Sequence, residues 1–161
     1  MKHLRLLPLA LVIAAVGGCH GPANSKTEPT QQEQFTLYPI GKVVKKAGKT
    51  LIVLDKKYQP ALLGLEKHSY VTVVYWFDRN DTPEKRAILQ VHPRGDRNNP
   101  LTGVFATHSP VRPNLIAISN CDIISVKENV IEVKDIDAFD GSPVLDLKGD
   151  FFRFYRSANQ R

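Results

Sequence analysis

Residues 70–77 read YVTVVYWF, an unbroken run of β-branched and aromatic side chains without a charge. Such side chains fit a pleated, half-buried surface, and a run this apolar belongs between two neighbours rather than at an exposed edge. It predicts a central strand. Upstream, residues 35–38 and 40–44 are strand-like, and KKAGK at 45–49 turns the chain into LIVL at 51–54. Tyr58, Ala61, Leu62 and Leu65 then fall at i, i+3, i+4 and i+7, which predicts one short helix with Pro60 in its first turn. Downstream, RNDTP at 79–83 turns the chain into 87–91, and a charged, Pro-containing loop covers 93–102. Apolar strands are expected at 104–106 and 115–118, and residues 122–126 and 130–133 form a hairpin around Lys127, Glu128 and Asn129. Asp140-Gly141 is the strongest two-residue turn signal and is expected to join 131–136 to 144–147 as a hairpin. Many short strands at near-regular spacing with one short helix predict a mainly all-β chain, closed or nearly closed as a small barrel.

Within this pattern residues 103–120, GVFATHSPVRPNLIAISN, place His108, Ser109, Arg112 and Asn114 in a turn between apolar segments. Pro110 and Pro113 set their own φ and push the residues before them out of the helical region, so the turn presents its polar groups at little entropic cost. The residues alone allow two readings, a built site or a Pro-rich chain reversal.

The first residues read as a targeting segment. Lys2, His3 and Arg5 precede an apolar run at 6–16, too short for a permanent membrane span, and Val16-Gly17-Gly18-Cys19 follows. These residues resemble a bacterial lipobox, which implies cleavage after residue 18, lipidation of Cys19 and a location in the cell envelope, at the outer membrane where there is one. Removing residues 1–18 from 161 leaves 143, enough for one domain with a core. Lys2 and Arg5 leave with the signal, so 22 basic residues become 20 against 16 acidic ones, and the formal charge falls from +6 to +4. So modest a balance does not argue for nucleic acid. Residues 20–34, HGPANSKTEPTQQEQ, cannot bury enough surface to offset their ordering and read as a tether with a reach of about 20 Å. Cys121 is then the only free thiol, so no disulfide forms within the chain, and it reads as a small buried apolar residue. The tail at 151–156, FFRFYR, is too aromatic to stand free in water and is expected to pack on the barrel or on a second subunit. No spacing for a metal site and no Gly-rich phosphate loop is present.

GVFATHSPVRPNLIAIS resembles the signature of the TsaA-like family, also called the TrmO family, whose usual form is approximately GVFATRSPxRPNPIGLS. The likeness extends to Tyr38-Pro39-Ile40-Gly41, to LGLEKHSY at 63–70, to LQVHPRGD at 89–96 with Asn99-Pro100-Leu101, and to DAFDGSPVLDLK at 137–148. It covers residues 35–148. The sequence departs from the usual pattern at His108, where the family has Arg, and at His68-Ser69-Tyr70, where it has Phe-Ser-His.

The resemblance implies a barrel, a homodimer and a S-adenosylmethionine-dependent methyltransferase; the best-known members act on N6 of threonylcarbamoyladenosine in tRNA. A site for that cofactor needs a bidentate cation for its carboxylate, acceptors for its ammonium and diol, and apolar walls. Arg112 suits the first demand. Asp137, Asp140 and Asp146 offer acceptors, His108, Ser109 and Asn114 offer hydrogen bonds, and His92 and Arg94 border the motif on the possible substrate side. Each has a structural alternative: Arg112 bridging Asp140 or Asp146, Asp140 serving only its turn, the loop charges merely solvated. Export would separate the domain from tRNA and from S-adenosylmethionine, so three functions stand: a methyltransferase with an unknown acceptor, a non-enzymatic envelope module binding a small adenosine-like or anionic ligand, and a structural lipoprotein. The tRNA reaction returns if the N-terminus is not an export signal. Residues 1–18, 19–34 and 35–161 are the expected signal, lipidated tether and barrel domain.

Overall fold

A computed structural model describes residues 33–149. The chain divides into two units, Met1–Phe35 and Thr36–Arg161, and the second carries the sheet. The expected signal peptide, the lipidated Cys19, most of the tether and the aromatic tail lie outside the described residues.

Among the described residues eight strands follow in chain order: β1 (Gly41–Lys46), β2 (Lys49–Leu54), β3 (Tyr70–Trp76), β4 (Gln90–Val91), β5 (Thr102–Gly103), β6 (Ile116–Lys127), β7 (Val130–Lys134) and β8 (Pro143–Gly149). Six close into a barrel in the order β1-β2-β7-β6-β3-β8, while β4 and β5 pair separately. The run at 70–77 is central, as its composition predicts: β3 lies between β6 and β8, antiparallel to both. Its side chains alternate, with Val71, Val73 and Tyr75 buried in the barrel and Thr72, Val74 and Trp76 half-buried outside. Val43, Ile52, Ile131, Cys121 and Val144 complete a core with no exposed surface at these positions. Ile52 stands opposite Ile131 across the β2–β7 ladder. Burying each such aliphatic side chain is worth roughly 1.5–3 kcal/mol.

Closure depends on two irregularities. β6 is 12 residues long and serves two neighbours, pairing with β3 along its first part and with β7 along its second. The register shifts between Ile123 and Ser125 on β6 and between Val74 and Tyr75 on β3, and such bulges bend strands around a small barrel.

Four expectations are corrected by this arrangement. The Asp140-Gly141 turn does not make a β7–β8 hairpin. β7 is already paired on both edges, by β2 and β6, so β8 runs instead between β3 and the first two residues of β1. The expected helix appears as two short 3-10 turns, Lys56–Leu62 and Leu65–Lys67, because Pro60 interrupts the donors and Gly64, at φ 89°, leaves the helical region. Leu62 is buried as predicted, whereas Ala61 is exposed. The α-helical turn is α1 (Pro83–Arg86), with Pro83 at its start and Thr82 Oγ1 accepting from the Lys85 amide at 3.3 Å. Residues 104–106 form a 3-10 turn rather than a strand. The Thr107 amide and hydroxyl both donate to the Val104 carbonyl, at 3.2 and 3.0 Å, and these local bonds take the place of a ladder. Residues 35–38 form no strand; Leu37 and Tyr38 are exposed and β1 begins at Gly41.

Cys121 faces the core opposite Val71, and burial pushes its thiol from the ordinary value of 9.0 up to about 11. The folded thiol therefore keeps a proton that the unfolded one has lost, so stability falls as pH rises from 9.0 to about 11. Urea unfolding across that interval is expected to show this slope in the native chain and to lose it in Cys121→Ala.

Candidate functional site

At one end of the barrel, β3 ends, β6 begins and β8 begins beside the segment leaving β7. The turn 107–115 and the stretch 135–142 meet there. Tyr75, the last buried residue of β3, sits at the floor. Its hydroxyl donates to the Asp137 carbonyl at 2.9 Å and lies 3.4 Å from Ser119 Oγ. Burial pushes the phenol's pKa up, so it stays protonated and keeps that donor role. Phe77 packs edge-on against it, with ring centroids 5.7 Å apart.

Above this floor lies a depression of about 420 Å³, walled by Phe77, Asp78, Arg79, His108, Asp137 and Phe139. It joins a smaller recess of about 70 Å³ where Arg112 and Ser119 meet the same Tyr75, Phe77, His108 and Asp137. The turn that brings Arg112 here is braced from below. Arg86 of α1 donates from Nη1 to the Pro113 carbonyl at 2.6 Å, while its Nε is held by Asp81 at 2.8 Å. That guanidinium in turn holds the Asp81 carboxyl below its usual range. Within the turn, the Ser109 amide donates to Thr107 Oγ1 and the Val111 amide to Ser109 Oγ. Leu115, buried at φ 52°, then carries the chain into β6 through a left-handed backbone that a side chain normally avoids.

The sequence-predicted residues divide on these facts. His108, Arg112 and Asp137 come together. Ser109 lies in the same turn but spends its hydroxyl on the backbone, and Asn114 is exposed beside it. Asp140 serves the fold: its Oδ1 accepts from the Lys45 amide at 2.8 Å and closes the edge of β1. Asp146 lies midway along β8, opposite Val74 and exposed, with Oδ2 2.8 Å from Lys148 Nζ. It borders a separate depression of about 470 Å³ beside Leu62, Leu65 and His68, where no other residue singled out for the site lies. Neither carboxylate pairs with Arg112. Arg112 is half-buried, makes only a 3.5 Å contact from Nη2 to the Val104 carbonyl, and has no ion pair among the described residues. His92 braces its own loop, its Nδ1 lying 2.8 Å from the Asn99 carbonyl, and Arg94 is exposed at φ 60°. No described group of His, Cys, Asp or Glu could hold a metal ion.

Tyr75, Phe77, Arg79, Phe139 and Ser142 were not legible as site residues. Each lies in what reads as strand or turn, and they share a wall only because β3 and β8 are neighbours in the closed sheet.

The tRNA-methyltransferase O N-terminal domain family matches residues 28–154. The chain belongs to this family. A protein of Methanocaldococcus jannaschii named as a probable S-adenosyl-L-methionine-binding protein is 44% identical over 114 residues, which are 71% of this chain and 90% of that protein. A protein of Pyrococcus horikoshii with the same description is 40% identical over 116 residues, 72% of this chain and 82% of that one. The crystal structure of TrmO from Pseudomonas aeruginosa superposes with a TM-score of 0.57 at 25% identity, covering 76% of this chain. This TrmO-family chain spans 57% of the length of that enzyme chain. The fold of the family, a mainly β barrel with few helical turns, is the fold of this chain.

Proposed function

We propose that the depression lined by His108 and Asp137, with the adjoining recess that holds Arg112, binds S-adenosylmethionine and that the chain is a methyltransferase. The observation that carries this reading is Arg112, a half-buried guanidinium in the small recess of about 70 Å³ that adjoins the depression of about 420 Å³, with no carboxylate on it. A cation held without a partner costs desolvation that an incoming carboxylate repays, and its planar fork suits that group. Asp137 beside it offers an acceptor to the ammonium group, Tyr75 and Phe77 supply the apolar floor, and His108 stands at the rim toward a methyl acceptor. The descriptions of the archaeal relatives support the cofactor. When bound, the cofactor supplies the electrophilic methyl group. The chain's part is to hold both partners in line, for which a turn braced by Arg86 is suited.

The test is thermal unfolding of the full chain titrated with S-adenosylmethionine and S-adenosylhomocysteine. A ligand that binds only the folded state raises its stability by about 2.7 kcal/mol at a concentration of 100 Kd, so a saturable rise in midpoint is expected. An unchanged midpoint at millimolar ligand sinks the reading.

The same proposal includes anchoring to a membrane through Cys19, pairing as a homodimer and an acceptor in the envelope rather than tRNA. Incorporation of labelled palmitate, lost in Cys19→Ser, is the result expected for the anchor.

A further inference from the structure

β8 is covered unequally on its two sides. β3 pairs with it between Val144 and Gly149, whereas β1 meets it only at Val144 and Pro143, so residues 145–149 have no strand on that side among the described residues. The ladder stops for a local reason. The Ile40 amide donates to the Val144 carbonyl at 2.8 Å, and the residue before it, Pro39, has no amide to give. Farther along β8 the Leu147 amide donates to Asp146 Oδ1 at 2.9 Å, a side-chain oxygen in place of a strand carbonyl. Beside this edge is the depression of about 470 Å³, lined by Leu147 and Gly149 of β8 and by Tyr58, Leu62, Leu63 and Leu65 of the segment that carries the two 3-10 turns. It shares no lining residue with the recess that holds Arg112. Tyr58, Leu65 and Leu147 are half-buried against the core, while Leu63 is 94% exposed. A bare strand edge beside an apolar groove suits an extended segment, with its backbone on the edge and alternate side chains in the groove.

The chain supplies such a segment at this spot. Gly149, the last residue of β8, lines the groove, and a Cβ there would come within 3.2 Å of the His68 ring, so the strand ends tight against the groove wall. The residues that follow at 150–156 read DFFRFYR. In an extended strand either face of this run carries two aromatic rings and an arginine: Phe151, Arg153 and Tyr155, or Phe152, Phe154 and Arg156. Both faces therefore have apolar surface for the groove and a cation to meet the exposed Asp146 carboxylate. The length also suffices. A reversal of two to five residues leaves about seven or more of those at 150–161, enough to span the open edge at 145–149. We propose that residues 150–161 turn back on β8, pair with its open edge and seat two of their aromatic side chains in this groove, adding a strand at the narrowest seam of the barrel.

The experiment is trypsin digestion of the full chain under native conditions, with mass spectrometry following the cut after Arg153. It compares the native protein with Leu63→Glu and with the double variant Phe152→Ser/Phe154→Ser. Each rate is set against that of a free synthetic peptide of residues 148–161 with the same tail sequence. Cleavage tracks the population of the open form, so a seated tail should be cut at least about tenfold more slowly than the free peptide. The double variant should lose this protection. Leu63→Glu should lose most of it, because it puts a charge on the groove wall at an exposed position and leaves the core intact. A native tail cut as fast as the free peptide overturns the proposal. Protection that survives either change also overturns it, because the tail would then lie elsewhere. Protection that disappears on dilution overturns it too, and assigns the groove to the tail of a second copy.

Discussion

Gly41→Ala is expected to destabilise the domain by about 3 kcal/mol, the upper part of the range for overpacking a well-packed site. A Cβ at position 41 would lie 2.3 Å from the Val53 carbonyl oxygen and 2.7 Å from the Leu54 Cα. Both are backbone atoms of β2, paired with β1 through Gly41 opposite Leu54, so neither can swing aside as a side-chain end would. Relief requires prying β1 from β2 at the point where β1 also meets β8, opposite Val144. That seam is already the narrowest in the barrel, with two registered residue pairs. For a domain of this size the thermal midpoint should drop by roughly 10 °C. Gly103→Ala is the matched control, because a Cβ there meets nothing within 4 Å, and its midpoint should stay within a degree or two of the native one. Calorimetric scans of the two variants decide the matter; equal midpoints would mean that β1 and β2 do not approach as described.

Arg112→Ala is expected to weaken S-adenosylhomocysteine about a hundredfold, the scale of removing one member of a hydrogen-bonded charge pair from a recess, with little effect on folding. The small folding cost follows from its single weak contact, 3.5 Å to the Val104 carbonyl, and from the lack of a carboxylate left behind. Arg112→Lys keeps the charge but loses the planar fork, so an intermediate loss of about tenfold is expected. Arg86→Ala separates presentation from contact. It removes the bond to the Pro113 carbonyl and the pairing with Asp81 without touching the recess, and should weaken the ligand less than Arg112→Ala while lowering the midpoint more. If Arg112→Ala binds the ligand as well as the native chain, the cation is structural and the carboxylate end of the ligand lies elsewhere.

The barrel was largely legible in the sequence, and the reasons are local. The run at 70–77 could only be an interior strand, and Lys127-Glu128-Asn129 between two apolar alternations could only reverse the chain, as the β6–β7 hairpin does. The wrong expectations share a cause. Asp140-Gly141 carries every sign of a hairpin turn, and Gly141 does adopt φ 86°, but a turn does not choose the partner of the strand that follows it. The periodicity at 58–65 is helical, but Pro60 and Gly64 permit only single 3-10 turns.

The site divides along the same line. Composition and order alone pointed to a mainly β barrel, to a Pro-pinned turn holding His108 and Arg112, and to an interior Cys121, because each depends on side chains close together in sequence. Only the tertiary structure decided which carboxylate lines the recess. Asp137, Asp140 and Asp146 are equivalent in sequence, yet closure of β8 against β1 engages Asp140 with the Lys45 amide, and the alternation along β8 leaves Asp146 exposed opposite Val74, beside Lys148. Asp137 remains beside Arg112 because the Tyr75 hydroxyl holds its carbonyl from across the barrel. Which group faces a ligand is set by pairing between strands distant in sequence, and no local preference encodes that pairing.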